Sequence, residues 1–400
     1  MSDQKPLAGQ GGTPVRESFL PFSRPSFGEE EKRELIATLE SGWITTGPRV
    51  SAFEQELSRF VGTSHTVCLD SCTAALHLAL AVLDLKPGDE VITSPLTFCS
   101  TVNAVIHAGG TPVLADVEPD TLNLDPAAVQ GAMGDRTRAV IPVHYGGHPC
   151  DMDPLRDLAR AEGLTVIEDA AHALGAAYKG RAVGTLGDVA CFSFYATKNM
   201  TTAEGGALVT ENEETAKRVR SLAFHGMDRD AWDRYTSVGS WYYEVLLPGF
   251  KYNMTDLDAA LGLQQLNRLP GFNQRRRELA ERYDEGFAGH PAISVPQTRP
   301  DVENVYQLYP IRLRLSELTA DRNRFIQELK SENIGTSVHF IPIHHHPAYR
   351  ERLRHPRGSL PVAEAAYEML ISLPIYPGMT DADAEDVIAG VRKVAAHFSK

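Results

Sequence analysis

Four segments of the chain carry polar side chains that could do chemistry, and one of them places a lysine in an unusual setting. Lys198 follows the apolar run 189–194 in a stretch of small and hydroxyl residues. A lone lysine is usually exposed and structural. A lysine directly after a buried strand is partly desolvated, which lowers the pKa of its amino group and favours Schiff-base chemistry.

The second segment ends an apolar run with two acids, Glu168 and Asp169, and His172 follows three residues later. Burying a carboxylate costs several kcal/mol unless it is paired. Asp169 therefore needs a cationic partner, and a protonated pyridine nitrogen would serve. An aspartate that caps the next helix explains the same residues equally well.

The other two segments are less specific. Residues 69–75 run from a strand directly into a helix, so a phosphate could bind the free N–H groups of the helix start, with Thr73 adding a hydroxyl. An ordinary Ser or Thr cap is the commoner explanation. Residues 250–256, which include Asn253, are typical of a capped turn before a helix.

The elements between these segments predict an α/β fold. Short apolar runs alternate with helical patterns, which is typical of βαβ units and a mainly parallel sheet. Such sheets bind ligands at the carboxyl ends of their strands, where the polar segments lie. The predicted sheet has seven strands, at 66–69, 90–93, 112–116, 139–143, 165–168, 189–194 and 207–210.

The pattern changes after residue 210 and predicts a second domain. A helix at 213–224 with Asn212 as its cap and an irregular aromatic segment at 225–252 come first. A helix pair at 256–287 follows, and a smaller α+β domain is predicted from elements at 305–313, 320–332, 336–340 and 384–398. The expected division is a flexible N-terminal tail at 1–17, a large domain at 18–265 and a small C-terminal domain at 266–400.

Composition excludes several classes of function. A net charge of −13 disfavours general nucleic-acid binding. No run approaches the ~20 apolar residues of a membrane span, and there is no export signal. The five cysteines are expected to be buried, reduced thiols. Together these features predict a soluble cytoplasmic protein without nucleic-acid or membrane partners.

Two groups of histidines are close enough in sequence to raise the question of a metal site. His144 and His148 are four residues apart, but two glycines between them make a helical zinc pair improbable. The consecutive residues 344–346 are all histidine, and side chains of an extended segment alternate in direction, so all three should not converge. We expect no metal site.

The chain resembles the DegT/DnrJ/StrS family of sugar aminotransferases, which have the type I fold of pyridoxal-phosphate enzymes. The resemblance covers nearly the whole chain and rests on the four segments, on SGWITTGP at 41–48 and on LPIYPGMT at 373–380. It implies pyridoxal 5′-phosphate as cofactor, with pyridoxamine 5′-phosphate as its aminated form.

The resemblance also implies roles for individual residues. Lys198 would bind the cofactor covalently, Asp169 would pair with the pyridine nitrogen, and His172 would lie near the ring. Phe98 would stack on the pyridine, although the lipid A-modifying members, which the chain resembles most, have Trp there. The phosphate would be held by Thr73, Ala74 and Ser193, and by Asn253 of the neighbouring subunit in a homodimer with shared active sites.

The implied reaction is a ping-pong transamination in which an amino-acid donor, expected to be L-glutamate, aminates the cofactor and a nucleotide-linked 4-keto-sugar then takes the amino group. Within the family, His rather than Gln at position 172 favours enzymes that aminate the C4 carbon of the sugar. A 3-keto-sugar or cyclitol aminotransferase remains an alternative. A sugar dehydratase of this fold would have His in place of Lys198, and a cofactor-binding sensor without turnover is the non-enzyme alternative. Residues 232–245, in the aromatic segment, are expected to face the sugar.

Overall fold

The computed structural model describes residues 6–227, 242–353 and 355–400. Within them the helices are α1 (Glu29–Glu40), α2 (Pro48–Val61), α3 (Cys72–Ala81), α4 (Cys99–His107), α5 (Pro126–Ala132), α6 (Met152–Glu162), α7 (Glu213–Ala223), α8 (Asp256–Phe287), α9 (Arg322–Ser331), α10 (Pro347–Arg350), α11 (Pro361–Met369) and α12 (Asp381–His397). The strands are β1 (His65–Leu69), β2 (Glu90–Thr93), β3 (Thr111–Leu114), β4 (Thr137–Ile141), β5 (Thr165–Asp169), β6 (Ala177–Tyr178), β7 (Arg181–Ala182), β8 (Val189–Ser193), β9 (Gly206–Thr210), β10 (Ile293–Ser294), β11 (Val302–Glu303), β12 (Tyr309–Leu313) and β13 (Leu370–Leu373).

The large sheet confirms the predicted α/β fold. In the described part of the chain it has seven strands in the order β1-β9-β8-β5-β4-β2-β3. β9 runs antiparallel to both of its neighbours, and the other pairs in the sheet are parallel. Each predicted strand is present, and no strand end differs from its predicted position by more than two residues. The carboxyl ends of β1, β8, β5, β4, β2 and β3 therefore lie along one edge.

Burial explains why these segments become strands and core helices. β9 is buried at every position, and β1, β5 and β8 at all but one. Strands covered on both faces are expected to be apolar throughout. Helix α3 is buried on nearly all sides, as its apolar sequence predicts, and packs against α4, β8 and β9. Asn212 caps α7 as expected, by accepting from the N–H of Thr215.

The predicted helix pair at 256–287 is wrong, because α8 is one helix of 32 residues with Pro270 inside it. Proline removes one backbone hydrogen bond and usually ends or kinks a helix. Here apolar residues are buried on both sides of the proline: Leu266 and Leu269 in the core of the large sheet, and Leu279 and Tyr283 in a second core. The domain boundary predicted at 265/266 falls inside this helix.

The second core lies under the C-terminal elements. An antiparallel sheet of order β10-β12-β13 packs with α9, α12 and the end of α8. Residues 336–340 form no strand there, and Ser337 makes only an isolated bridge to Ser372. Residues 6–17, the described part of the expected tail, lie against this unit: Leu7 is fully buried, and Ala8 and Val15 donate backbone hydrogen bonds to Glu332.

Two further expectations concern cysteines and membranes. All five cysteines are free thiols, four of them buried and Cys99 half-buried. No helix in the described ranges is long and apolar enough to cross a membrane. Most of the segment 232–245, expected to face the sugar, lies outside the described residues.

Candidate active site

The lysine and the aspartate singled out in the sequence lie at the carboxyl ends of neighbouring parallel strands. Asp169 is the last residue of β5, and it pairs with Cys191 of β8 in the parallel ladder. Ser193 ends β8, and Lys198 lies in the turn that follows. The ladder fixes the spacing of these strands, so the two functional groups approach one cavity from adjacent positions on the sheet edge.

That cavity has a volume of about 520 Å³ and opens at the carboxyl edge of the sheet. Six of the predicted site residues line it: Thr73, Phe98, Asp169, His172, Ser193 and Lys198. Its remaining described walls come from Phe22, Ser71, Cys72, Thr97, Ser100, Val143, Ala171, Tyr195, Thr197, Glu204, Gly205, Gln307, Leu308, His339 and Phe340. Ala74 and Asn253 are not among these lining residues.

The turn that carries Lys198 is fastened on both sides. Gln307 donates a hydrogen bond to the carbonyl oxygen of Thr197 at 2.8 Å, and Asn199 donates to Asn273 at 2.9 Å. The side chain of Lys198 is therefore presented from a fixed backbone. Burial lowers the pKa of its amino group, although the nearby Cys72 and Asp169 act in the opposite direction. A lowered pKa increases the neutral, nucleophilic fraction.

Asp169 is buried, and its carboxylate accepts hydrogen bonds at both oxygens. Thr101 Oγ1 donates to Oδ2 at 2.7 Å, and the N–H of Ala171 donates to Oδ1 at 3.2 Å. Burial raises the pKa of Asp169, whereas these two donors and the amino group of Lys198 lower it. The carboxylate is thus partly stabilised by the protein, and a cation in the cavity would complete its pairing.

His172, His339 and Phe340 form the wall opposite the sheet edge. The ring of His172 stacks on Phe340 with centroids 5.9 Å apart, and His172 Nδ1 has no hydrogen-bond partner among the described residues. Burial and the nearby Lys198 keep the pKa of His172 well below its ordinary value. The same two causes lower the pKa of His339 to about 4. Both imidazoles are therefore neutral at neutral pH.

The start of α3 forms a small-residue corner of the cavity. Ser71 caps the helix by accepting from the N–H of Ala74 at 3.1 Å, so this donor is already used within the chain. Gly206, paired with Leu69 at the start of β9, lies against the helix start. A Cβ at Gly206 would lie 2.3 Å from the backbone nitrogen of Cys72. Glycine is therefore required where the strand meets the helix.

Asn253 lies outside the cavity of its own chain. It forms a bridge with Leu69, and its side-chain amide donates to Thr46 Oγ1 at 2.6 Å. Lys251 donates to the Asn253 side-chain oxygen. Thr255, in the same segment, caps α8 as the sequence predicts. The family resemblance assigned Asn253 to the phosphate of the cofactor in the neighbouring subunit, and this assignment stays a prediction.

Three residues near the cavity were missed by sequence reasoning. Thr101 lies one helical turn after Thr97, and their hydroxyls are 2.7 Å apart, but threonines in a helix give no sequence indication of this pairing. His339 and Gln307 come from the C-terminal third of the chain, and only the folded chain brings them to the sheet edge. Residues 336–340 were predicted as an element of the small domain and not as part of the site, and they form no strand.

His144 and His148 are both buried and hydrogen-bond to other residues of the chain. His144 Nδ1 accepts from the N–H of Cys150, so its protonated Nε2 donates to Glu168 at 2.9 Å. Glu168 also accepts from the backbone of residues 184, 186 and 187. His148 contacts Asn123 instead. The two histidines therefore serve different partners, and neither faces the cavity.

The residues of the cavity fit a pyridoxal phosphate. A buried carboxylate without an ion pair among the described residues suits a protonated pyridine nitrogen, and an amine of lowered pKa faces the same space. The hydroxyls of Ser71, Thr73 and Ser193 line the corner at the start of α3, where a phosphate finds donors and a favourable helix dipole.

Comparison with known proteins agrees with this geometry. The model of the DegT/DnrJ/EryC1/StrS aminotransferase family matches residues 25–392. The chain belongs to this family.

SpsC of Bacillus subtilis, a spore coat polysaccharide biosynthesis protein, is 50% identical over 380 residues, which cover 95% of this chain and 98% of SpsC. Spr1654 from Streptococcus pneumoniae, assigned as a sugar aminotransferase, was solved in its PMP form. It is 37% identical, with a TM-score of 0.89, over 94% of this chain and 99% of its own.

A third similar structure is DesI, solved in the presence of its TDP-sugar product. It is 34% identical, with a TM-score of 0.86, over 97% of this chain and 96% of its own. Spr1654 was also solved in a PLP form. The chain is accordingly a pyridoxal-phosphate-dependent aminotransferase with the type I fold, and pyridoxamine phosphate is the aminated form of its cofactor.

Proposed function

We propose that this aminotransferase transfers the amino group of an amino acid, L-glutamate, to a nucleotide-linked 4-keto-sugar and so produces a 4-amino-sugar nucleotide. The observation that carries the proposal is the shared cavity of Lys198 and Asp169, an amine and a carboxylate at adjacent strand ends. Support for the sugar comes from the relatives, among them DesI with its TDP-sugar product.

The residues of the chain divide the work by position. When bound, pyridoxal phosphate supplies an electron-accepting ring and an aldehyde that takes up the amino group. The Lys198 amino group, with its lowered pKa, anchors the cofactor and, when released, moves protons at Nζ. Asp169 holds a proton on the pyridine nitrogen through its negative charge. Neutral His172 and His339 line the opposite wall without adding positive charge.

The first test is replacement of Lys198. We expect Lys198→Ala to abolish turnover and covalent retention of the cofactor, because no other described lysine lines the cavity. Borohydride reduction followed by peptide mass spectrometry should label Lys198 in the wild type. Lys179→Ala is the matched control, since Lys179 is a surface residue paired with Asp153. Labelling of another lysine, or residual turnover in Lys198→Ala, would contradict the assignment.

The substrate is tested by supplying keto-sugars directly. Nucleotide-linked 4-keto-sugars, 3-keto-sugars and keto-cyclitols are each incubated with the holoenzyme and glutamate, and mass spectrometry follows amine formation and 2-oxoglutarate release. We expect amination of the 4-keto compounds. Amination of the 3-keto-sugars or the cyclitols alone would select the alternative substrates. Binding of the cofactor without release of 2-oxoglutarate would indicate a sensor.

We also propose that the active site is completed in a homodimer. Asn253 lies outside its own cavity, and the surface near it carries exposed apolar side chains, among them Tyr243, Val245 and Leu246. Exposed apolar patches of this kind are typical of interfaces. In the dimer the amide of Asn253 would donate to the phosphate bound by the other subunit. A hydrogen bond to a charged group contributes about 1.5–3 kcal/mol, so Asn253→Ala should weaken cofactor binding roughly ten- to hundredfold.

Complementation tests the shared site. Lys198→Ala and Asn253→Asp are each expected to be inactive alone, the second because a carboxylate repels the phosphate. After subunit exchange, a mixed dimer has one site with both wild-type residues, so activity should partly return. Exchange is verified by mass spectrometry of differently tagged subunits. If exchange is complete and activity stays absent, Asn253 does not act across the interface.

A further inference from the structure

Two of the three consecutive histidines converge on one carboxylate, away from the catalytic residues. His344 and His345 lie in the short 3-10 turn Ile343–His345, and Glu364 lies in α11. His344 Nε2 is 3.1 Å from Glu364 Oε1, and His345 Nε2 is 3.2 Å from Glu364 Oε2. The expectation from an extended segment does not apply, because the turn places neighbouring rings 4.5 Å apart. His346 points elsewhere, toward Tyr349.

Only one of the two histidines in this cluster has a hydrogen bond to Glu364. His344 is within hydrogen-bond geometry of Glu364, but His345 Nε2 is buried and has no hydrogen-bond partner among the described residues. The side chain of His345 is only 8% exposed, and that of Glu364 only 16%. A buried polar atom without a partner is costly. His345 Nε2 therefore lies 3.2 Å from Glu364 Oε2 without the geometry of a hydrogen bond.

The donor atoms have the spacing of a metal coordination sphere. One donor from each of the three residues lies within 4.8 Å of the others. In a tetrahedral zinc site, with bonds of about 2.0–2.1 Å, adjacent ligand atoms are about 3.3 Å apart. The separations between His344 Nε2 and Glu364 Oε1 and between His345 Nε2 and Glu364 Oε2, 3.1 and 3.2 Å, are close to that value, and each histidine contacts a different oxygen of the carboxylate. Two imidazoles and one carboxylate form a common zinc donor set.

The negative charge near the cluster and the fixed position of Glu364 also favour a bound zinc ion. Glu364 is fixed by the N–H of Gly358 at 2.7 Å, and Asp116 accepts from the N–H groups of Val362 and Ala363 at the start of α11. A second carboxylate, that of Asp116, is therefore held at the start of the helix that carries Glu364. Carboxylates beside imidazole nitrogens attract a divalent cation.

We propose that His344, His345 and Glu364 bind one Zn²⁺ ion per chain, with a remaining coordination position open to water. The ion would tie the turn at 343–345 to α11. Residues 339 and 340 of the same segment form a wall of the active-site cavity. The ion would thus anchor the segment that continues from that wall, and none of its three ligands lines the cavity.

The direct test is a zinc titration of the holoenzyme after removal of any affinity tag and treatment with a chelator. Isothermal titration and elemental analysis should show one zinc per chain. His345→Ala and Glu364→Gln should weaken binding by more than about tenfold, since even outer-sphere changes at zinc sites cost 10–100-fold. His346→Ala is the matched control and should bind zinc as the wild type does.

A second measurement reports on the ligands themselves. Co²⁺ bound to the wild type should show the visible absorption of a low-coordinate site, and His345→Ala should lose it while keeping the cofactor spectrum and circular dichroism of the fold. Anomalous diffraction at the zinc edge should place the ion among the three side chains. Absence of stoichiometric zinc, or wild-type affinity in a folded His345→Ala, overturns the proposal. Neither result bears on the transamination.

Discussion

The cavity has two walls that are built in different ways. The sheet wall carries Asp169, Ser193 and Lys198 at the ends of β5 and β8 and is fixed by backbone hydrogen bonds between parallel strands. The opposite wall, around His339 and Phe340, belongs to no regular element. It is held by an isolated bridge between Ser337 and Ser372, and by side-chain contacts.

Side-chain hydrogen bonds hold the opposite wall in place. His339 Nδ1 is 2.9 Å from Ser372 Oγ, and the hydroxyl of Tyr145 donates to the backbone oxygen of His339. The two walls therefore have different roles. Rigid strand ends place the groups that act on the cofactor, whereas an irregular segment shapes the space for the substrate. Substitutions in the sheet wall should therefore lower kcat, and those in the opposite wall should change KM.

The largest change in kcat is expected for substitution of Asp169, in the sheet wall. Asp169→Asn should lower kcat on the order of a hundredfold or more, because a neutral amide cannot hold the charge that the pyridine nitrogen needs. Burial raises the pKa of Asp169 in the folded chain above its value in the unfolded chain. Ionisation of Asp169 therefore lowers the free energy of unfolding as the pH rises above the pKa of the unfolded chain. The variant apoprotein should therefore be no less stable than the wild type at pH 7, which thermal unfolding would show.

A matched control separates catalysis from helix capping. Asp125 accepts from the backbone N–H two residues later, at 2.9 Å, and Asp169 does the same at 3.2 Å. Asp125→Asn should leave kcat unchanged. If Asp169→Asn behaved like this control, Asp169 would be a cap and nothing more.

A smaller effect in the same wall is expected at Thr101, which positions Asp169 without lining the cavity. Thr101→Val removes the donor to Oδ2 at nearly constant volume. Loss of a hydrogen bond to a charged group costs about 1.5–3 kcal/mol, so kcat should fall up to roughly a hundredfold. The pKa of Asp169 should rise, which moves the acid limb of the pH–rate profile to higher pH. Thr101→Ser keeps the hydroxyl and should restore both, whereas an unchanged profile in Thr101→Val would remove the positioning role.

The sequence was informative about the sheet wall for a physical reason. A parallel strand buried on both faces is a short apolar run, so β5 and β8 and their carboxyl ends were visible directly. Lys198 and Asp169 follow those runs within a few residues. Local sequence therefore predicted both the element and the edge on which its polar residues lie.

The remaining features depend on contacts that are distant in sequence. The single helix α8 crosses Pro270 because two separate cores bury its two halves, and neither core is visible locally. Thr101 becomes important only when it meets Asp169, 68 residues away. The convergence of His344 and His345 required the turn geometry at 343–345 and a partner in α11. Spacing rules for regular elements predict none of these contacts.

The smallest effect is expected in the opposite wall, at His339. Burial and the nearby Lys198 lower the pKa of this imidazole to about 4, so it is neutral throughout the range in which the enzyme would be assayed. His339→Asn removes no charge at neutral pH. The variant should therefore change KM for the keto-sugar several-fold while kcat stays close to the wild type. A large loss of kcat with an unchanged KM would show that His339 takes part in the chemistry, and the two-wall comparison would fail.

The same substitution has a defined effect on stability against acid. The unfolded chain protonates His339 near its ordinary pKa of 6.5, whereas the folded chain resists protonation until about pH 4. The unfolded state thus binds more protons in this interval, and the free energy of unfolding falls as the pH is lowered from about 6.5 to about 4. His339→Asn lacks this contribution, so its stability should decline less steeply than that of the wild type.

Urea unfolding of both proteins at several pH values between 4 and 7 measures the difference in slope. His172 contributes with the same sign in both proteins, and its effect cancels in the comparison. Parallel curves would mean that His339 is solvated in the folded protein, and the wall it belongs to would be more open than the packing around Ser372 and Phe340 indicates.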